Sequence, residues 1–305
     1  MRRVALTSDQ VRALADTYAD AVASGQFPTE WDPANPQRAF LPPDLLRSDG
    51  PWICLTGYSA EPVAIGHFSG RSRFLVFLRL PGGRQATIEY LGKLLESPQP
   101  LFVEVQEGEA PTLQKLNLRL PQFTVGTEVA LLRQMIVIDA EGNLEPTALT
   151  ESVQLRVYHA VTSGSAYINY ENGPSSHDQN FFEFRFNRAA LFARHGGGLQ
   201  AVRPGETEFS TFSSFGIDPF EASRKNAWVG QPSEILARCR ACHVDAGIHS
   251  VQSRERWLGQ PPRSREGEAE PSLSRAVKWE TERTVERKQR RDDFKSLLRC
   301  WRSPE

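Results

Sequence analysis

Apolar and polar positions alternate over several stretches of this chain, and the alternation predicts its strands. Phe74, Val76, Leu78 and Leu80 alternate with Leu75, Phe77 and Arg79. Both sides of a strand over 74–80 are then largely apolar, which is the pattern of a strand buried on both faces. Val129 to Asp139 is a second strongly apolar run, and Glu141-Gly142-Asn143 after it is a turn. From Ser152 to Ala160, Val153, Leu155 and Val157 alternate with Gln154, Arg156 and Tyr158. Together these runs predict an antiparallel hairpin with a half-exposed second strand. Over 181–186, Phe182, Phe184 and Phe186 face one way and Glu183 and Arg185 the other. Trp52 to Leu55 reads as a short strand.

Helical spacing accounts for much of the rest. Thr7 to Ser24 reads as one amphipathic helix, capped by Thr7 or Ser8 and ended by Gly25, with Val11, Leu14, Ala15, Tyr18 and Val22 on one side. Arg84 to Ser97 is helical after the Pro81-Gly82-Gly83 turn, and Leu101 to Val105 returns as a strand, the order of a β-α-β unit. Asn187 caps a short helix over Arg188 to Arg194, stopped by Gly196-Gly197-Gly198. Leu273 to Trp301 is a charged helix whose apolar positions lie mostly at its ends, so its middle is expected to stand in solvent. Prolines from Pro28 to Pro51, with Phe27, Trp31 and Phe40 as anchors, predict an extended loop wrapped over the body. The fold class is therefore α+β: a largely antiparallel sheet body with flanking helices, a short helical segment that delivers Cys239, and a C-terminal charged helix. The expected division is a body over 1–228, an attachment segment over 229–258, and a linker with helical tail over 259–305.

Composition narrows the function classes. At 305 residues and 39 % apolar content, with 17 Phe and 6 Trp, the chain can build a sizeable core. A net charge of −1 gives no global field to attract nucleic acid. No run approaches the length of a membrane-spanning helix. Four cysteines are too few for a disulfide scaffold. Gly82-Gly83 precedes a helix, but neither G-x-G-x-x-G nor a P-loop is present.

The candidate chemistry sits at Cys239-Arg240-Ala241-Cys242-His243. Two thiols three positions apart, followed at once by an imidazole, is the spacing that attaches haem c. The thiols add across two vinyl groups on one porphyrin edge, and the histidine reaches the iron. In a chain of this composition the pattern arises by chance roughly once in a thousand, taking residues as independent draws. Cys239 and Cys242 are thus the candidate cofactor-binding residues and His243 the candidate iron ligand. Met135, His249, His67, His159, His177 and His195 are the residues available as a sixth ligand, and a five-coordinate iron is the alternative. The competing reading is a cytoplasmic interaction module with a zinc site built from Cys239, Cys242, Cys300 and His243 or His249. A thioredoxin-like dithiol is a third, but that motif opens a helix early in its fold, and here it follows one late in the chain.

The motif resembles that of c-type cytochromes over Cys239 to His243 alone. Compact cytochrome c domains place it near their start with a methionine later, whereas here it lies near the end with no later Met. Arg38-Ala39-Phe40-Leu41-Pro42-Pro43-Asp44-Leu45 and Leu149-Thr150-Glu151-Ser152-Val153-Gln154-Leu155-Arg156-Val157-Tyr158, taken with the Cys239 cluster, are similar to an uncharacterised bacterial family. That resemblance implies a shared body with a terminal C-x-x-C-H, and no reaction. The expectation is a haem-binding redox or electron-transfer protein with a redox partner protein, without a catalytic set. Haem attachment implies a periplasmic location, although Met1-Arg2-Arg3-Val4-Ala5-Leu6 is not followed by the apolar run of a signal peptide. Without haem, the cytoplasm is the expected location.

Overall fold

The structure, a computed structural model, describes residues 5–59, 72–96, 102–105, 113–116, 119–161, 178–206, 236, 243, 247–251 and 271–302. Its centre is the long hairpin of β5 (Thr127–Ile138) and β6 (Leu144–Tyr158). The turn is built by Asp139. Its carboxylate accepts from the Glu141 and Asn143 amides at 2.9 and 2.7 Å, and Gly142 takes φ 87°. A short polar side chain that bonds the backbone just ahead of it is what a tight turn needs. Ser8 adds a hydroxyl donor at 2.5 Å. Burial alone pushes the Asp139 carboxyl up, but the Ser8 and Asn143 bonds outweigh it and hold it below its ordinary value.

Around the hairpin the sheet is antiparallel throughout, in the order β1-β2-β5-β6-β7-β8. Here β1 is Ile53–Cys54, β2 Ser72–Arg79, β7 Gln179–Phe186 and β8 Leu199–Ala201. With its helices, this is the α+β architecture expected. The two strand sides feed two cores. Phe74, Val76, Leu78, Val129 and Leu131 pack with helix α4 (Gly83–Glu96), Leu120 and Phe123. Leu75, Phe77, Leu132, Val153, Leu155 and Phe184 pack under Tyr18, Phe40, Leu45 and Trp52. The proline-bearing loop does wrap the body, with Phe40 and Leu41 fully buried.

Five expectations are corrected. The N-terminal helix is two: α1 (Ser8–Arg12), capped by Thr7, and α2 (Thr17–Ala23), capped by Asp16. Asp16 accepts from the Tyr18 and Ala19 amides, so it starts a new helix where continuous periodicity had implied none. No β-α-β unit forms. The strand after α4, β3 (Phe102–Val105), pairs antiparallel with β4 (Leu113–Leu116) in a separate ribbon. Both neighbours of β2 are already taken, by β1 and β5. The half-exposed strand of the hairpin is buried along 150–158 on both faces. The charged C-terminal helix does not stand in solvent and is not continuous.

That last element breaks at Arg291 (ψ 139°) into two helices, which follow in the chain a five-residue helix after β1 and two further short helices. In order these are α3 (Leu55–Ser59), α5 (Arg188–Phe192), α6 (Ile248–Val251), α7 (Leu273–Arg290) and α8 (Asp292–Arg302). Helix α7 lies against α3 and β2 and buries Ala276, Glu280 and Thr284, one turn apart from each other. Thr56 donates to the Glu280 carboxylate at 2.6 Å. Burial raises the Glu280 carboxyl above its ordinary value, opposed by the Thr56 bond and Arg283. A folded value above the unfolded one means that the stability from this group is full at acid pH and is lost as pH rises through the folded value. At pH 7 the ionised form is therefore a net cost. Glu280→Gln keeps the acceptor and removes the charge, and is expected to gain roughly 0.5–2 kcal/mol at pH 7, a usual size for a stabilising substitution. The gain should vanish below about pH 4, where the unfolded carboxyl is protonated too. Urea midpoints at both pH values test this; a loss at pH 7 overturns it.

The short helix α5 ends at Phe192, with Arg194 at φ 55°, before Gly196-Gly197-Gly198, which form a separate turn rather than the expected stop. All three glycines have positive φ, and a Cβ on Gly197 would stand 2.1 Å from the Thr17 carbonyl oxygen and 2.7 Å from the Ala21 nitrogen. The turn thus lets α2 sit backbone to backbone on it. Gly197→Ala combines left-handed strain with a backbone clash and is expected to cost at least about 2 kcal/mol. An unchanged urea midpoint would show that α2 can move aside.

Candidate functional site

The polar positions of β6 make the site. Directly paired residues share a face, so Ser152, Gln154, Arg156 and Tyr158 line up with Arg185, Glu183, Phe181 and Gln179 of β7. This is the same face that carries Phe74 and Leu131 further along the sheet. It changes from apolar over β2 and β5 to polar over β6 and β7. Nearly all of it is closed to solvent, with Glu183 at 1 % exposure and Arg156 at 6 %. Buried charge is costly unless paired. Arg133 meets Glu151 at 3.1 Å at one end of the face, and Arg185 meets Glu206 at 2.7 Å. The Arg156 guanidinium lies 4.9 Å over the Phe181 ring and donates to Gln154 at 2.9 Å.

The segment 247–251 docks at the other end of this face. Gly247 has φ 52°, and a Cβ there would fall 2.0 Å from the Gln122 side-chain oxygen. That oxygen accepts from the Ile248 amide at 2.8 Å, so Gly247 is what lets α6 approach. Ile248 enters the core and Ser250 is fully buried. The Ser250 hydroxyl donates to the Gly247 carbonyl at 2.8 Å. With its one proton spent, it must accept the Tyr158 hydroxyl at 2.6 Å.

His243 is held by this arrangement. Its Nδ1 lies 2.7 Å from the Ser250 carbonyl oxygen, and its own carbonyl accepts from the Gln179 side chain at 2.6 Å. A carbonyl only accepts, so Nδ1 carries the proton, and in the neutral ring the lone pair belongs to Nε2. The Ser250 carbonyl also accepts from Arg156 Nη1 at 3.3 Å.

Of the residues singled out from sequence, His243 lies in this site, while Cys239 and Cys242, with His67 and His177, lie outside the described residues. His249 is buried in α6 beside Ser250. The others are elsewhere. Met135 is eight residues along β5 from Thr127, the partner of Tyr158, or roughly 27 Å away. His159 follows Tyr158 on the opposite face, stacked on Trp31. His195 is beyond the far end of β7. Cys300 adjoins Trp301, which donates to Ala140 at the hairpin turn, roughly 40 Å from Tyr158. Burial pushes the Cys54 thiol up to about 12, so it stays protonated. Among the described residues no group of three or more His, Cys, Asp or Glu could hold a metal ion, and no helix is long and apolar enough to cross a membrane.

Sequence reasoning missed Gln122, Arg156, Tyr158, Gln179 and Ser250 as parts of a site. The signal available was Gly247-Ile248-His249-Ser250 directly after the motif, a glycine followed by small and polar residues around one apolar anchor. Comparison with protein-family models, with curated proteins and with solved structures finds no match to this chain.

Proposed function

We propose that this chain binds haem c through Cys239 and Cys242, with His243 as an iron ligand, and serves as a redox or electron-transfer protein. The observation that supports it most is the bond from His243 Nδ1 to the Ser250 carbonyl. A histidine that ligates a metal through one nitrogen typically donates the other to a carbonyl, which fixes the ring and raises its basicity. The residues present fit the group in that respect. Attachment is redox-neutral: each sulfur bonds one vinyl carbon and its proton passes to the other. Bound haem supplies a one-electron couple whose potential depends on its axial ligands and on burial. Covalent attachment places the working protein in the periplasm, with a partner protein to exchange electrons.

The test is expression of the chain with an export leader and haem-maturation factors, followed by a pyridine haemochrome spectrum. Haem that resists acid-acetone extraction is the expected result, and His243→Ala should shift the Soret band. Colourless exported protein overturns the reading. Zinc found instead by metal analysis would assign the thiols to a site that includes His243 or His249 and excludes the distant Cys300.

A further inference from the structure

We propose that Arg156 and Tyr158 are positioning residues for His243, acting from the sheet through the Ser250 peptide. This deepens the reading of His243 as a ligand and rests on it. An imidazole next to two cysteines on a short segment has no orientation of its own; something must supply it. Here the supply comes from residues far back in the chain. The Ser250 carbonyl has two lone pairs. One accepts from Arg156 Nη1 at 3.3 Å and the other from His243 Nδ1 at 2.7 Å. Tyr158 grips the hydroxyl of the same residue at 2.6 Å. Ser250 and Tyr158 are both fully buried, so no bulk water competes for these positions. Arg156 is itself fixed by Gln154 and by the Phe181 ring. A site held by strand residues whose own partners are locked is better defined than one held by a loop. The consequence is that the body sets the imidazole: the sheet dictates which nitrogen carries the proton, and so which one meets the metal.

The experiment uses the full chain made without haem, with 15N-labelled histidine, at a pH where the ring is neutral. His243→Gln identifies the signal. In water a neutral histidine ring favours the proton on Nε2; His243 in the intact protein is expected to carry it on Nδ1. In the Arg156→Met, Tyr158→Phe double variant, which has no donor at either position, the ratio of Nδ1–H to Nε2–H should fall by about tenfold, the weight of one buried hydrogen bond. Arg156→Lys, which still donates, should return the ratio to that of Tyr158→Phe alone. Tyr158→Phe alone, which deletes one oxygen, gives the same reading in smaller measure if the double variant does not fold. Nδ1–H retained in a folded double variant, or Nε2–H in the parent protein, overturns the proposal. Because this readout needs no haem, colourless exported protein would defeat the haem reading while leaving the positioning result standing.

Discussion

Arg133→Met is expected to cost about 3–5 kcal/mol, the range for removing one partner of a buried ion pair. The melting temperature should fall by on the order of 10 °C. Methionine nearly refills the volume and keeps contact with the Phe74 ring, over which the guanidinium now lies at 4.9 Å. Packing therefore changes little, and the loss comes from charge. Glu151 keeps a fully buried side chain, with Ser72 among its donors, but loses the opposite charge of Arg133. Adding Glu151→Gln removes the charge that Arg133 faced and keeps the acceptor for Ser72. The double variant should recover most of the loss. Thermal or urea unfolding of the four proteins of this cycle reads the coupling directly. A cost under about 1 kcal/mol for Arg133→Met is the size of a solvated pair and would mean that water reaches Glu151.

That pair and the His243 clasp occupy the same sheet face, at opposite ends of its polar half. Their common cause is the register of β6. A slip of one residue would exchange Gln154 and Arg156 for Leu155 and Val157 and turn every polar group to the other core. The two cores on either side prevent such a slip, because Val153, Leu155 and Phe184 already fill the opposite face. The apolar face thus specifies where the polar one must be, and the polar one holds the segment that carries His243.

The strands were the legible part of this fold. Both apolar runs at 74–80 and 129–139 and the Phe182-Phe184 strand could be read because their side-chain period reports burial directly, and the turn at Glu141-Gly142-Asn143 because its residue types do. What covers a strand is not encoded in its own period. Gln154, Arg156 and Tyr158 read as a wet face, yet they are buried, since a segment about ninety positions later docks on them. Glu280 and Thr284 mislead in the same way: a polar stripe on a helix looks solvated until Thr56, 224 positions away, supplies its hydrogen bond. The candidate site was legible only as a spacing of cysteines and histidine. Its supporting residues come from two strands, a loop and a short helix, and no local pattern links them.

The Cys239→Ser and Cys242→Ser variants are expected to have the largest effect on function. Either change alone removes one thiol, so one thioether forms, one vinyl group survives, and the haemochrome band moves to longer wavelength. Haem should still resist extraction. The double variant has no sulfur to add to a vinyl group, and all of its haem should be extractable by acidified acetone. His243→Ala behaves oppositely: covalent haem is retained, but the iron loses its nitrogen ligand and the spectrum changes. On the haem reading, covalency would belong to the two thiols and ligation to the imidazole, and these four variants would separate them. A zinc site predicts a different pattern. Thiolates are then direct ligands, so each single cysteine change would lower the metal content of cytoplasmic protein, and His243→Ala would lower it too. The contrast lies in the single cysteine variants, which keep their cofactor only if the cofactor is held by carbon–sulfur bonds.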